Sequence, residues 1–209
     1  MIEALRDYIL SGSVAPGARL TEIALAEHMG VARATLRTGL HRLAAEGIVI
    51  QTPYVGWQVA TLDAHDVWEL WTLRGSLEGL AAGLAAQTTD EAAFAAVLQA
   101  HDRLEAACAA GRMAEINKAD GALHAAIIDA AGHGRLRHQY RLVEQQVRLL
   151  IATSNAFASD GPDDIARQHR PLAAALRGRD ADRASREALT HNEVEGKRLV
   201  AWLTARHDA

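Results

Sequence analysis

The stretch TEIALAEHMGVARATLRTGLHRLAAEGIV, residues 21–49, decides the fold of the N-terminal part of the chain. Thr21 is suited to cap a helix of two turns that ends at Gly30, because a hydroxyl accepts hydrogen bonds from the first backbone N–H groups and glycine adopts the left-handed conformation of a helix end. After a short turn a second helix is predicted, with a buried stripe at helical spacing: Leu36, Leu40 and Leu43. Two helices joined by so tight a turn predict a helix-turn-helix.

Two short β-prone runs follow this motif and extend it. Ile48–Gln51 and Trp57–Ala60 are rich in β-branched and aromatic residues, and the turn between them carries Gly56. They predict a small hairpin, which makes the motif a winged helix-turn-helix. Upstream, apolar residues at helical spacing predict a short first helix over residues 2–10 that stops at Gly12.

The rest of the chain is predicted to be an all-helical bundle, which makes the protein mainly α. Of the 209 residues 49% are hydrophobic but only 4% are aromatic, a balance that favours helices packed through small side chains over a sheet. With Asp63 as a helix N-cap, the predicted domains are residues 1–62, the winged helix-turn-helix, and residues 63–209, a six-helix bundle. The predicted helices of the bundle are about 64–87, 90–110, 112–131, 135–157, 162–177 and 179–205.

Composition limits the class of protein. No run of about 18 apolar residues occurs, and the N-terminus MIEALRDYIL lacks the positive stretch and apolar core of a signal peptide. We therefore expect a cytoplasmic protein with no membrane partner. The single cysteine, Cys108, cannot form an intrachain disulfide. A net charge of −4 argues against a protein that coats nucleic acid, although DNA binding requires only a local basic surface.

Such a basic surface is predicted on the second helix of the helix-turn-helix. Arg33 and Arg37 are i, i+4 neighbours on one face of that helix, away from the leucine stripe, and no acid lies between Glu27 and Glu46. In a helix-turn-helix this helix enters the major groove of double-stranded DNA with its first residues at the base edges. We therefore expect Arg33 and Arg37 to read bases without a nearby acid to neutralise them. The alternative is an ordinary pair of solvated surface charges.

Three further residues complete the predicted DNA-contacting set. Arg42 lies a turn beyond the first two arginines and is better placed for a phosphate than for a base. Thr35 lies on the same helix, and Gly56 lies in the predicted wing.

A second candidate site lies in the helical bundle, where the sequence has acid and imidazole groups at ligand spacing. Asp120 and His124 are i, i+4 on one helix, so both can bind one ion. His169 and His191 lie on two later helices among apolar neighbours and can face the same bundle centre. One carboxylate and three imidazoles suit a divalent transition metal such as Zn, Ni, Mn or Fe. Ordinary core histidines are the alternative, and a metal-dependent enzyme using the same residues is a second possible function.

The N-terminal motifs resemble the GntR family of bacterial regulators. The segments that carry the resemblance are Ile9–Gly12 (ILSG), Pro16–Leu20 (PGARL), Leu25–Arg33 (LAEHMGVAR), Leu36–Leu40 (LRTGL) and Leu43–Val49 (LAAEGIV). This resemblance implies a winged helix-turn-helix that binds a DNA operator. The sequence departs from the family where Ala32 replaces a capping serine, at a cost of about 0.5–2 kcal/mol, and where Thr35 stands in place of a common proline. Gly39, inside the recognition helix, costs about 1 kcal/mol of helix propensity relative to alanine.

The C-terminal part is similar to the FCD domain of FadR-type GntR regulators. The segments that carry the likeness are Leu73–Glu78 (LRGSLE), Asp120–His124 (DGALH), His169 followed by Ala175–Asp180 (ALRGRD), and Ala184 with His191. It implies a metal held by the aspartate and three histidines, with a small carboxylate effector beside it and Arg74 at the effector. Arg148 is a second candidate for contacting the effector, on the basis only of the helix face on which it is predicted to lie. Pro171 is expected to bend its helix or to mark its first turn, and so to re-aim His169.

Together these features predict a homodimeric transcription regulator. We expect it to be a repressor whose repression is relieved when the effector binds. Effector binding would bias the spacing of two DNA-binding heads on a pseudo-palindromic operator. The sequence leaves the effector, the operator, the native metal and the sign of regulation open.

Overall fold

Helices α2 (Glu22–Met29) and α3 (Arg33–Ala45) form the predicted helix-turn-helix in the computed structural model, which describes residues 1–154 and 161–207. Gly30 ends α2 with φ +64°, the left-handed conformation expected there. Ala32 precedes α3 in an extended conformation and gives no side-chain cap. The first backbone N–H groups of the recognition helix therefore lack the partner that a serine would supply.

The glycine in the interior of α3, Gly39, has a packing reason. Gly39 is buried under helix α1 (Ile2–Tyr8), and a Cβ at this position would lie 3.1 Å from Met1 Cε and 3.3 Å from Leu5 Cδ2. The absence of a side chain thus allows α1 to pack closely on the recognition helix. The sequence showed only the loss of helix propensity at this glycine.

The first helix and the wing depart from their predictions in two details. Helical winding continues past α1 as a π-helical turn over Ile9–Ser13, which ends one residue beyond the predicted stop at Ser11–Gly12. The wider turn buries both Ile9 and Leu10, which are adjacent in sequence. A two-residue strand that the sequence did not indicate, β1 (Arg19–Leu20), joins the predicted hairpin of β2 (Val49–Thr52) and β3 (Gly56–Val59) in an antiparallel sheet of order β1-β3-β2.

The chain divides into two compact units. The first comprises Met1–Leu62 with Glu144–Thr153, and the second comprises Asp63–Val143 with the described part of Ser154–Ala209. The core of the first unit is formed by α1, α2, α3 and the sheet around Leu5, Leu36 and Trp57, each at most 2% exposed.

The predicted helices of the bundle are confirmed, with bounds that agree within two residues wherever the structure describes them. Residues 155–157, the predicted end of the fourth, lie outside the described residues. The helices are α4 (Ala64–Ala86), α5 (Glu91–Ala110), α6 (Met113–Ala130), α7 (Gly134–Ser154), α8 (Pro162–Arg177) and α9 (Ala181–His207). Within residues 1–154 and 161–207, no helix combines the length and apolar character needed to cross a membrane.

Two features of α4 set up the interior of the bundle. Asp63 caps its N-terminus with a capping box in which the Asp63 side chain accepts from the Asp66 backbone N–H, while the Asp66 side chain accepts from the Asp63 backbone N–H. Along its length, small residues let α9 approach, since a Cβ on Gly79 would lie 3.0 Å from Leu189 Cγ. The close packing of α4 and α9 brings polar side chains of both helices into the bundle interior.

Candidate DNA-reading surface and histidine site

The predicted base-reading arginines lie exposed at the start of α3. The side chains of Arg33 and Arg37 are 60% and 54% exposed, and Arg42, near the end of the helix, is 67% exposed. Thr35 is also exposed on α3. The helix therefore presents all three guanidinium groups to solvent, as a DNA-contacting role requires, while the leucine stripe is buried.

Contrary to the expectation from the sequence, an acid does neutralise the arginine pair. Glu22, at the start of α2, accepts hydrogen bonds from Arg37 Nε at 3.2 Å and Arg37 Nη2 at 2.8 Å, and its Oε2 lies 3.6 Å from Arg33 Nη2. Glu22 also accepts from the indole Nε1 of Trp57 at 3.1 Å. Glu22 precedes the acid-free stretch of the sequence. It lies near the arginines in space because the turn between α2 and α3 packs the start of α2 against the start of α3.

In the wing, Gly56 begins β3 with φ +105°, a backbone conformation that L side chains rarely adopt. It pairs with Thr52 at the tip of the hairpin. A glycine at this position lets the hairpin turn tightly, and the predicted contact of Gly56 with DNA stays a prediction.

The four predicted metal ligands come together inside the second unit. Asp120 and His124 extend from α6, His169 from α8 and His191 from α9, and each residue is at most 4% exposed. One nitrogen from each of the three imidazoles lies within 4.8 Å of the others. Asp120 Oδ1 lies 2.9 Å from His169 Nε2 and 3.8 Å from His124 Nε2. We call these four residues the histidine site.

The unfilled bonding capacity of the histidine site fits a metal ion. Neither ring nitrogen of His191 has a hydrogen-bond partner among the described residues, although both are buried. A buried nitrogen without a partner costs on the order of 1–3 kcal/mol, and coordination to a cation would remove that cost. Three imidazole nitrogens and one carboxylate oxygen are the donor set of many divalent transition-metal sites.

Without a metal, the charges of the histidine site are coupled. Burial acts to lower the pKa of His169, but the hydrogen bond to Asp120 outweighs it and raises that pKa to about 9. Burial acts to raise the pKa of Asp120, and the neighbouring imidazoles His169 and His124 hold it below its ordinary value. Burial, together with the charge of His169, pushes the pKa of His191 well below its usual range. The site thus holds an Asp120–His169 ion pair beside a neutral His191.

Pro171 does not displace His169 from this group. It lies in the interior of α8, which continues through it from Pro162 to Arg177, so the expectation that it marks the first turn is wrong. The missing N–H of Pro171 would have bonded one turn earlier, to Arg167 and not to His169. His169 Nδ1 lies 2.8 Å from the Ile165 carbonyl oxygen, a contact in which Nδ1–H donates and Nε2 is left to face Asp120.

Arg74, the predicted effector contact, is buried and paired. Its Nε donates to Glu78 Oε1 at 2.7 Å, and its Nη1 donates to Glu195 Oε2 at 3.3 Å. Arg74 and Glu78 are one helical turn apart on α4, and only 6% of the Arg74 side chain is exposed. Arg148, by contrast, is exposed on α7 in the first compact unit, so the structure does not group it with the histidine site.

The sequence did not indicate that Glu78 and Glu195 would lie beside the histidines. Glu78 Oε2 lies 3.0 Å from His124 Nδ1 and accepts from Asn192 Nδ2 at 2.8 Å, while Glu78 Oε1 accepts from the Tyr140 hydroxyl at 2.7 Å. Glu195 Oε2 lies 3.7 Å from His191 Nε2. The i, i+4 spacing of His191 and Glu195 was a usable signal, whereas the contact between Glu78 and His124 depends on how α4 packs against α6.

Comparison with known proteins identifies both units. The model of the gntR family of bacterial regulatory proteins matches residues 1–59, and the FCD domain model matches residues 69–194. A probable D-xylose utilization operon transcriptional repressor of Paenarthrobacter nicotinovorans is 28% identical over 193 residues, which cover 90% of this chain and 83% of that protein.

Two solved structures share the fold. A putative GntR transcriptional regulator from Rhodococcus sp. RHA1 superposes with a TM-score of 0.80 at 23% identity, covering 96% of this chain and 95% of that one. McbR/YncC of E. coli superposes with a TM-score of 0.79 at 20% identity, covering 99% and 96%. GntR regulators bind DNA operators, and FCD domains bind small-molecule effectors. This chain therefore belongs to the GntR family of bacterial regulatory proteins, carries a C-terminal FCD domain, and is a transcriptional regulator and not an enzyme.

Proposed function

We propose that this regulator reads its operator through Arg33 and Arg37, with Arg42 on a phosphate and Thr35 and Gly56 at the edges of the contact. The observation that supports this assignment is the exposure of both guanidinium groups at the start of α3. Arginine forms bidentate hydrogen bonds with guanine O6 and N7 in the major groove, and each such contact is worth about 1–3 kcal/mol of discrimination.

The test uses two DNA duplexes of equal length. One is selected by the full-length protein from a random library, and the other has the same bases in shuffled order. Arg37→Ala is expected to weaken binding to the selected duplex by about ten-fold or more while changing binding to the shuffled duplex much less. Arg42→Ala is expected to weaken both equally and to lower the salt slope by about one.

The matched control is Arg103→Ala, which removes the same charge from an exposed position on α5. If Arg37→Ala and Arg103→Ala had the same effect on binding to the selected duplex, the assignment of base reading to α3 would be wrong.

The second part of the proposal is that Asp120, His124, His169 and His191 hold a divalent metal, which can be Zn, Ni, Mn or Fe. This proposal is supported by the buried ring nitrogens of His191, neither of which has a hydrogen-bond partner among the residues that the structure describes. The metal would supply open coordination positions that an anionic effector can occupy.

Metal binding is measured with metal-free protein in competition with a coloured chelator, using Zn²⁺ and Ni²⁺. Asp120→Asn keeps the shape of the side chain but removes a ligand charge. We expect it to weaken binding by more than the about 10–100-fold that loss of an outer partner costs. Asp129→Asn, on the exposed face of the same helix, is the control and should bind as the unaltered protein does. Equal affinity of all three proteins would show that Asp120 is not a ligand of the metal.

The effector is proposed to be a small carboxylate, and Arg74 and Glu195 decide how it binds. Arg74 already donates to Glu78 and Glu195, so an incoming carboxylate has to replace one of them. Glu195 is the one that can move, because its side chain is 29% exposed while that of Glu78 is 2% exposed. Effector binding then takes the Arg74 bond from Glu195 and shifts operator affinity.

Glu195→Gln tests this step with Ni²⁺-loaded protein and succinate as the probe. Removing the competing negative charge is expected to tighten succinate binding measured by calorimetry. Glu193→Gln, an exposed neighbour on α9 that pairs with Lys197, is the matched control and should leave it unchanged. If Glu195→Gln bound succinate no better than the control, Glu195 would not be the group that an effector replaces.

The sense of regulation is proposed to be repression, relieved by the effector, by a cytoplasmic homodimer on an operator with two half-sites. The name of the relative from Paenarthrobacter nicotinovorans, a probable transcriptional repressor, supports this sense. Sedimentation of the protein with and without the selected duplex measures the stoichiometry, and one chain per duplex would contradict the dimer.

A further inference from the structure

Glu22 contacts both arginines that are proposed to read bases, although it lies on neither the recognition helix nor the wing. It lies in the first turn of α2, and its carboxylate accepts two hydrogen bonds from Arg37 and one from Trp57. Arg33 Nη2 lies 3.6 Å from the same carboxylate. One acid therefore faces both guanidinium groups that are proposed to reach the bases.

The way in which Arg37 is held leaves its other side available. The two bonds to Glu22 use the Nε–Nη2 edge of the guanidinium group. Arginine has five N–H donors in a rigid plane, and two more lie along the Nη1–Nη2 end. Within the described residues no partner engages that end, and 54% of the side chain is exposed. A guanine can therefore accept two parallel bonds from Arg37 while Glu22 still holds it.

Glu22 itself is fixed by the sheet. Trp57, which donates to it, is 2% exposed and lies on β3, where it pairs with Leu20 of β1 and Gln51 of β2. The Trp57 ring also contacts His41 of α3 edge-on, with 4.9 Å between ring centroids. A carboxylate anchored in this way has few orientations, so the arginine that it binds has few as well.

The charge of Glu22 is permanent under the conditions in which proteins bind DNA. The hydrogen bond from Arg37, followed by the one from Trp57, lowers the pKa of Glu22 to about 2. A folded-state pKa below the ordinary value means that the carboxylate loses its charge only as the pH falls toward 2. Glu22 thus opposes the attraction of the two arginines for phosphate throughout the physiological range.

We propose that Glu22 is a positioning residue that sets the sequence selectivity of this regulator, by orienting Arg37 toward a base and by offsetting the attraction of Arg33 and Arg37 for the DNA backbone. This inference rests on the proposed base-reading role of those arginines. A held guanidinium group loses less conformational freedom when it binds a base. Partial neutralisation weakens binding to every sequence, so the difference between the right and the wrong sequence grows.

The test compares Glu22→Gln with the matched control Glu27→Gln on the selected and shuffled duplexes. Both variants remove one negative charge from α2, but Glu27 is exposed and has no ion-pair partner in the described part of the chain. For Glu22→Gln we expect tighter binding to the shuffled duplex, a steeper salt dependence, and a ratio of the two affinities that falls by about ten-fold. Glu27→Gln should keep the ratio within about two-fold of the unaltered protein.

Three results would overturn the proposal. The ratio could stay unchanged in Glu22→Gln, or it could fall equally in both variants, which would make it a general effect of charge. Glu22→Gln could also lose both duplexes, which would make Glu22 a purely structural residue. Arg37→Ala distinguishes this failure from a failure of base reading. If only the role of Glu22 is wrong, Arg37→Ala still binds the selected duplex more weakly than the unaltered protein does.

Discussion

The arginine pair on α3 and the histidine site in the bundle are both sets of nitrogen atoms beside a carboxylate, but the first is exposed and the second is buried. Arg33 and Arg37 are more than half exposed, whereas His169 is 1% exposed. At the surface, the carboxylate Glu22 takes one edge of an arginine and leaves the other edge for a partner. In the interior, Asp120 satisfies His169 while His191 has no hydrogen-bond partner within the described ranges.

The two kinds of ion pair have different effects because one is exposed and the other is buried. An exposed pair such as Glu22–Arg37 contributes only about 0–1 kcal/mol to stability, so its effect is to orient a side chain. A buried pair such as Arg74–Glu78 contributes little net stability when intact but is costly to break, because the remaining charge is left without a partner. We therefore expect substitutions at the surface to change DNA selectivity, and substitutions in the interior to change stability and metal affinity.

The largest expected effect is on stability. Arg74→Met leaves Glu78 buried without its arginine and is expected to lower the free energy of unfolding by about 3–5 kcal/mol, measured by urea denaturation. The double variant Arg74→Met/Glu78→Met removes both charges and should be less destabilised than the single one. A single variant as stable as the unaltered protein would show that the interior pair behaves like a surface pair.

An intermediate effect is expected on metal affinity. Glu78→Gln keeps the bonds to Tyr140 and Asn192 within reach but removes the charge that faces His124 Nδ1. A carboxylate at the second nitrogen of a metal-bound imidazole fixes the orientation and raises the basicity of the ring, and its loss costs about 10–100-fold in affinity. Competition with a chelator for Zn²⁺ measures the change. If the affinity for Zn²⁺ stayed within about two-fold of that of the unaltered protein, Glu78 would only pair with Arg74 and would not support the imidazole of His124.

The smallest effect is expected at the start of the recognition helix. Ala32→Ser supplies the missing cap to α3 and should stabilise the protein by about 0.5–1 kcal/mol, seen as a higher midpoint of thermal unfolding. Ala32→Val, which has no hydroxyl, is the control and should give no gain. A serine that did not stabilise the protein would show that the first N–H groups of α3 already have adequate partners, such as water.

The sequence predicted the parts of the fold that depend on local spacing. Leu36, Leu40 and Leu43 define a stripe on one helix, Gly30 ends the preceding one, and Asp63 caps α4 as its position before an apolar run suggested. Asp120 and His124 are one turn apart, so any helix brings them together. The fold class and these helix ends were therefore predictable without a structure.

The parts that could not be predicted depend on packing between distant segments. Glu22 lies 15 residues before Arg37, and Glu78 lies 114 residues before Asn192. Strand β1 is too short to show an alternating pattern, and it forms only because β3 offers it a free edge. That His169 and His191 would lie beside His124 was implied by the family resemblance, since three separate helices have to meet there.

If the exposed arginines read DNA and the buried histidines hold a metal, one task can be removed from the chain without the other. A band-shift titration of the Zn²⁺-loaded double variant Arg33→Ala/Arg37→Ala on the selected and shuffled duplexes measures this separation. We expect the two duplexes to bind the variant equally well, while the variant still takes up Zn²⁺ as the unaltered protein does. A double variant that distinguished the two duplexes as well as the unaltered protein would contradict this expectation.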